Sequence, residues 1–218
     1  MPRTLTHTTL ALMLAGLGAF AFTAPALAQA KPGPAKPASA ATAAKPEAKT
    51  EAAPQLLAAQ SELRFTSRQM GVPVDGSFKR FEAKLAFDPK KPEAGNVAFN
   101  IDLASVTLGD PMLDAELAKP AWFDSKKAAQ ASFQSSAIKA LGGGRYEVAG
   151  KLTIKGQQRD IVVPLALAQA NGVSTATGGF VLKRLEFKIG DGEWSDTSMV
   201  ANDVQVKFKL AFSGVAAL

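Results

Sequence analysis

Apolar and polar residues alternate along much of the chain, most clearly over residues 145–167. In the first half of this stretch the apolar residues share one parity with Gly150, namely Tyr146, Val148, Leu152 and Ile154. Successive side chains of a strand point to opposite faces, so the pattern predicts a strand with one buried face. A Gly-containing turn at 155–158 and a second alternating run over 161–167 complete a predicted β-hairpin.

Similar runs recur on both sides of this hairpin. They predict strands at 61–67, 81–87, 97–103, 132–139, 180–189 and 204–212. Segments rich in Gly, Pro, Asn or Asp predict turns between them, at 70–76, 88–95, 142–144 and 171–172. Gly178-Gly179 predicts a bend within its strand.

About eight strands follow one another as hairpins, and each has one apolar face. These faces must all be covered, that is, packed against other apolar side chains and away from water. Closing the sheet on itself provides that cover and removes the exposed sheet edges. We therefore predict an all-β fold, an eight-stranded antiparallel barrel. A β-sandwich is the alternative, because periodicity does not separate the two.

The alternation breaks between Gly109 and Ala129. Asp110 followed by Pro111 is typical of a helix N-cap with proline at the first helical position. We predict one short helix between the middle strands, ending before Pro120. Trp122-Phe123 follows directly, and is predicted to form either a lid at a cavity mouth or the staple that seats the helix on the barrel.

The first 53 residues differ from the rest. Residues 1–28 have a basic start, an apolar run and the small-x-small sequence Ala26-Leu27-Ala28, which predicts a signal peptide cleaved after Ala28. Residues 29–53 are mostly Ala, Pro and Lys and predict a disordered linker. Residues 54–218 are then one domain, and the expected location of the protein is a bacterial periplasm.

Composition excludes several kinds of chemistry. The formal net charge is +6, but part of it lies in residues 1–53, so we expect no nucleic-acid partner. The chain has no Cys, and its one His is His7 in the predicted signal peptide. Nucleophilic triads, thiolate or imidazole zinc sites and ordinary haem ligation are thereby excluded. A hydrolase using paired carboxylates is not favoured, since the carboxylates scatter over predicted outer faces. We expect no enzyme, no metal and no cofactor.

Phenylalanine dominates the aromatic residues, with 13 Phe against one Tyr. Phe buries a large apolar area without a polar group, which favours nonspecific apolar contact. About ten buried methylenes would contribute roughly 8 kcal/mol, near micromolar affinity before ordering costs. An eight-stranded interior can equally be filled by side chains, so the pattern leaves filled and hollow barrels open.

Short motifs occur in a characteristic order over residues 54–214. They are the opening Ser61–Phe65, Gly76-Ser77-Phe78, Phe87-Asp88-Pro89, IDLAS at Ile101–Ser105, Trp122-Phe123-Asp124, LTIKG within Lys151–Gly156, VVPL at Val162–Leu165, and FKIGDGEW at Phe187–Trp194. This order resembles the YceI-like family of polyisoprenoid-binding, lipocalin-like periplasmic proteins. The resemblance implies a lipocalin-like barrel with an elongated apolar cavity.

The resemblance also implies noncatalytic binding of a long isoprenoid lipid, a quinone or an isoprenoid alcohol. It further implies a membrane b-type cytochrome as a partner. The alternative function is an interaction module for such a partner, with a filled barrel.

The predicted cavity lining follows the inward parity and the Trp122-Phe123 pair. It comprises Phe65, Phe81, Leu85, Phe87, Phe99, Ile101, Trp122, Phe123, Phe133, Val148, Leu152, Ile154, Phe180, Leu182, Phe187, Val206 and Phe208. Arg184 is predicted either to form an ion pair with Glu186 or Asp191, or to contact a ligand oxygen. Trp194 is predicted to plug one end of the barrel.

Overall fold

The structure, a computed structural model, describes residues 53–218. The predicted signal peptide, residues 1–28, and all but the last residue of the predicted linker, residues 29–53, lie outside the described residues. No helix within residues 53–218 is both long and apolar enough to cross a membrane.

Strands account for most of the described chain. They are β1 Gln55–Leu56, β2 Glu62–Gln69, β3 Val72–Phe78, β4 Phe81–Ala86, β5 Asn96–Asp102, β6 Val106–Thr107, β7 Gln130–Gly142, β8 Arg145–Ile154, β9 Gln157–Ala170, β10 Val173–Lys183 and β11 Asp203–Ser213. One helix, α1 Pro111–Leu117, follows β6. Short 3-10 turns lie at Ala58–Gln60, Pro92–Ala94, Leu103–Ser105, Arg184–Phe187 and Gly192–Trp194.

All eleven strands belong to one sheet, which closes on itself. Two residues separate β3, which pairs with β2, from β4, which pairs with β5, so β3 and β4 serve as one bent strand. Around the ring this strand is joined by β2, β5, β7, β8, β9, β10 and β11. Because β11 pairs with β10 on one edge and β2 on the other, the ring is complete. The predicted eight-stranded antiparallel barrel is confirmed, and the sandwich alternative is wrong.

The β8–β9 hairpin has the predicted alternation. Tyr146, Val148, Leu152 and Ile154 are buried at 5–6% exposure. Lys155 and Gly156 connect the strands with φ values of 49° and 73°. Two positive φ values in a two-residue connection match the twist of the flanking strands, which fixes the register Ile154↔Gln157.

Two predicted boundaries are wrong. The predicted turn at 70–76 is limited to Met70-Gly71, and residues 72–78 form β3. Pro73 is tolerated there because β3 pairs on its second edge only at Ser77 and Phe78, so no ladder bond is lost. The strand predicted to reach Ile189 ends at Lys183. The chain then turns so that the side chain of Arg184 is buried, with Lys188 in the left-handed conformation.

Helix α1 begins as predicted. The Asp110 carboxylate accepts hydrogen bonds from the Met112 and Leu113 amides, and Pro111 is the first helical residue. The Asp114 carboxylate accepts from the Thr107 hydroxyl at 2.7 Å and the Leu108 amide at 2.6 Å. These bonds hold α1 beside β6, at one end of the barrel.

Candidate functional site

The barrel interior contains an apolar cavity of about 160 Å³, here called the inner compartment. Only apolar and aromatic residues line it, and none of them is exposed to solvent. Ten residues of the predicted lining border it: Leu85, Phe87, Phe99, Ile101, Phe133, Val148, Leu152, Phe180, Val206 and Phe208. A space of about 10–15 Å³ holds one water molecule, so the barrel is hollow here.

A second cavity of about 290 Å³, the outer compartment, lies towards α1. Predicted residues on its wall are Phe65, Ile101, Trp122, Phe123, Leu152, Ile154, Phe180, Leu182 and Val206. Its wall also includes the exposed Gln69 and the half-exposed Leu113, so it opens to solvent between the β2–β3 turn and α1. Five residues line both compartments, which therefore adjoin each other: Leu63, Ile101, Leu152, Phe180 and Val206.

The aromatic rings leave the interior hollow because several of them lie against glycines on neighbouring strands. A Cβ atom placed on each glycine would fall 2.2–2.6 Å from a ring carbon of the facing phenylalanine. The pairs are Phe65 with Gly76, Phe133 with Gly150 and Phe208 with Gly178. Since glycine has no side chain, each ring lies on the barrel wall instead of projecting across the lumen.

Two predicted lining residues border neither compartment. Phe81 lines a surface groove beside Arg80 and Glu82, where its ring packs 5.5 Å from that of Phe99. Phe187 is 2% exposed and packs in the core, but outside both cavity walls. Its predicted inward position depended on a strand continuing past Lys183, and the 3-10 turn removes that parity.

The predicted ion pair of Arg184 with Glu186 or Asp191 is wrong, since Glu186 pairs with Arg159 instead. The side chain of Arg184 is 1% exposed, and its five N–H groups all donate to backbone carbonyls. The acceptors are Ala201, Ile189, Gly190, Trp194 and Val200, at 2.6–3.0 Å. Burial lowers the pKa of the guanidinium from its usual value. With no N–H left free, Arg184 fastens the loops at this end of the barrel and has no donor for a ligand.

Trp122 and Trp194 pack against each other at this end of the barrel. Their ring centroids are 5.5 Å apart, and both line the outer compartment. The predicted plug at Trp194 therefore lies on the cavity wall. Neither indole N–H has a hydrogen-bond partner among the described residues, so the pair is held by apolar packing.

Phe123 connects the cavity wall to helix α1. It lines the outer compartment, while its amide donates to the Leu117 carbonyl at the end of α1 and its ring meets that of Phe78 edge-on. Lys155 adds a further link at this end, because its ammonium donates to the carbonyls of Pro120 and Lys188. Desolvation lowers the pKa of Lys155 from its usual value.

Sequence reasoning missed several wall residues. Those on strands share the inward parity already recognised, so the pattern could have found them: Leu63, Val97, Ile138, Val163, Leu165, Leu210 and Phe212. Others come from loops and short elements, where no parity applies: Leu103, Leu108, Leu113, Ile189 and Val200.

Acid–base and metal chemistry find little support in this arrangement. Glu116 is the one carboxylate among the described residues that line either compartment. A carboxylate-based glycosidase needs a facing pair. Residues 53–218 also contain no group of three His, Cys, Asp or Glu side chains placed to hold a metal ion.

A closed barrel around an apolar, elongated cavity that opens at one end defines a lipocalin-like protein. The chain belongs to the YceI-like domain family, whose model matches residues 55–212. The resemblance seen in the motifs is thus confirmed.

Solved structures show the same fold. BcnA of Burkholderia cenocepacia is 45% identical, with a TM-score of 0.70 over 72% of this chain and 99% of that chain. A polyisoprenoid-binding domain from Saccharophagus degradans, implicated in plant cell wall breakdown, is 18% identical, with a TM-score of 0.62 over 74% of this chain and 98% of that chain. The second likeness shows the fold alone.

Curated relatives carry no functional name. A UPF0312 protein of Ectopseudomonas mendocina is 31% identical over 40% of this chain and 46% of the relative. One of Vibrio cholerae is 28% identical over 48% of this chain and 56% of the relative. The chain thus spans about half the length of the curated relatives it matches.

Proposed function

We propose that the protein binds and carries a long-chain isoprenoid lipid, a quinone or an isoprenoid alcohol, without catalysis, in the periplasm. The observation that carries the proposal is the pair of adjoining compartments inside the barrel, the inner one lined only by apolar residues and the outer one mostly so. An apolar interior of this shape fits a linear hydrocarbon chain. The likeness to a polyisoprenoid-binding domain supports the isoprenoid class.

The length of the cavity suits a chain and not a compact molecule. Along β11 the wall runs from Phe212 and Phe208 in the inner compartment to Val204 in the outer one. At about 3.3 Å per residue, these positions span about 26 Å. A flexible chain can extend along this wall past Phe180 and Val206, which line both compartments, whereas a compact fused ring system of similar volume cannot span it.

Apolar burial is sufficient for useful affinity. The inner compartment offers no polar partner, so binding there depends on removing hydrocarbon from water, worth about 0.8 kcal/mol per methylene. An isoprenoid of about four units has about twenty carbon atoms, roughly twice the number of methylene-sized groups that would give near-micromolar binding before ordering costs.

The proposal is tested by mass spectrometry of an organic extract of the purified protein, which should contain a long-chain isoprenoid. Delipidated protein should also gain thermal stability on addition of a prenyl quinone. Ligand at about 100 times Kd stabilises the folded state by about 2.7 kcal/mol. Absence of both the lipid and the stabilisation would defeat the proposal.

A membrane b-type cytochrome that exchanges quinone with the carrier is part of the same proposal. It rests on the family resemblance alone. The hollow interior favours the carrier over the alternative of an interaction module with a filled barrel. The test is capture of a b-type cytochrome from detergent-solubilised membranes, with lipid-loaded and with delipidated protein as bait. A difference between the two would show that the partner distinguishes lipid-loaded from lipid-free protein.

A further inference from the structure

The inward face of β2 changes character along its length. From the barrel interior towards the opening it presents Leu63, Phe65, Ser67 and Gln69. The first two are apolar, and the last two are polar residues whose side chains form no hydrogen bond with another described residue. Both Ser67 and Gln69 line the outer compartment. The cavity therefore has one purely apolar end and one end with free hydrogen-bonding groups.

Glu116 of α1 lines the same compartment and brings a negative charge to it. The Lys119 ammonium pairs with this carboxylate, so the cation next to the opening is already neutralised. Of the two arginines on the wall, Arg184 has every N–H bonded to a carbonyl. Arg64 pairs at 2.9 Å with Glu62 and has an exposed side chain. No unengaged cation among the described residues lines the cavity.

We infer that the outer compartment holds the head group of the ligand and selects an uncharged head group with a hydroxyl, as in an isoprenoid alcohol or a hydroquinone, over a phosphorylated one. This inference rests on the proposed function and specifies its substrate class. The ligand lies with its tail in the inner compartment and its head group near Ser67, Gln69 and Glu116.

The donor and acceptor capacities of these side chains set the preference. A Ser hydroxyl and a Gln amide can each donate and accept, whereas the carboxylate of Glu116 only accepts. A hydroxyl head group has the capacity to donate to a carboxylate or an amide oxygen and to accept from a Ser hydroxyl or a Gln amide. A phosphate accepts only, and it loses hydration without gaining a cation, because the Lys119 ammonium is already paired with Glu116.

The first experiment compares three ligands with one tail: geranylgeraniol, geranylgeranyl diphosphate and the corresponding hydrocarbon. Affinities are measured by displacement of one fluorescent lipid probe from delipidated protein. We expect the alcohol to bind about tenfold more tightly than the diphosphate and about fivefold more tightly than the hydrocarbon. If none of the three binds, the proposed function fails. If all bind and the diphosphate binds as tightly as the alcohol, this inference fails and the proposed function stands.

Two variants locate the head group. Glu116→Gln removes the charge and releases Lys119, so diphosphate affinity should rise about tenfold while alcohol affinity changes by less than about threefold. Glu82→Gln makes the same charge change on the exposed outer face of β4 and is the control; it should leave the alcohol-to-diphosphate ratio unchanged.

Gln69→Met keeps the length of the side chain and removes its amide. It should weaken the alcohol about fivefold and leave the hydrocarbon unchanged. Thermal unfolding of each variant checks that the barrel is intact. An unchanged alcohol-to-hydrocarbon ratio in Gln69→Met, or equal effects of the two Glu→Gln variants, would overturn the inference.

Discussion

Two adjacent glycines on β10 test why the barrel is hollow. Gly178 faces the interior, where an added Cβ would lie 2.6 Å from Cζ of Phe208 and 2.5 Å from the Pro164 carbonyl oxygen. Gly179 faces outwards, where an added Cβ would lie 2.5 Å from the Val206 carbonyl oxygen with no ring nearby. Both alanine variants crowd a carbonyl equally, but Gly178→Ala alone pushes a ring into the inner compartment.

The size of the effect follows from that geometry. To regain ordinary contact the Phe208 ring must move about 0.8 Å into the lumen. It would then occupy the space of one or two ligand methylenes, worth about 0.8 kcal/mol each. We expect Gly178→Ala to weaken prenyl-lipid binding about 4- to 15-fold. Both variants should lose comparable stability, about 1–3 kcal/mol.

The assay is titration of delipidated protein with geranylgeraniol. The chain has two tryptophans, Trp122 and Trp194, and both line the outer compartment, so their fluorescence reports occupancy. Urea unfolding of the same samples measures the stability change. Unchanged affinity in Gly178→Ala, or an equal loss in Gly179→Ala, would show that the ring lying on Gly178 does not keep the cavity open.

Three further predictions concern other parts of the barrel. Arg184→Met should leave five carbonyls without this donor, three of them in buried hydrogen bonds, and lower stability by about 3–5 kcal/mol in urea unfolding; Arg184→Lys, with three donors, should restore only part of it. Val206→Phe, on the wall that both compartments share, should weaken geranylgeraniol more than about tenfold and leave the shorter geraniol nearly unaffected; equal weakening of both would contradict a ligand that extends through both compartments. Hydrogen bonds from the Ser198 hydroxyl and amide hold the pKa of Asp196 below its usual range. The stabilisation by Asp196 is therefore complete above the pKa that this carboxyl has in the unfolded chain, and it is lost as the pH falls through its lower pKa in the folded protein. An acid titration of Tm should show a shallower fall for Asp196→Asn than for the unaltered protein.

Most of the barrel could be predicted from the sequence because alternation is a local signal. Val148, Leu152 and Ile154 fall on one parity, and a strand converts parity directly into burial. Short Gly-containing connections then leave hairpins as the simplest topology. The strand end at Lys183 could not be predicted from the sequence. It depends on the hydrogen bonds that the Arg184 side chain donates to carbonyls on loops 5 to 17 residues away.

The candidate site was only partly predictable. Parity identified wall residues such as Phe99 and Phe208, but it also placed Phe187 on the wall, where the chain has already left the sheet. Wall residues from loops, such as Leu108 and Ile189, carry no periodic signal.

By itself the sequence determined a closed antiparallel barrel with an apolar interior, because hydrophobic parity and turn residues act between near neighbours in the chain. Whether that interior is empty was decided only by the tertiary structure. The answer depends on register, which sets Phe65 opposite Gly76 and Phe208 opposite Gly178. A shift of either register would place a side chain under each ring and turn the ring into the lumen.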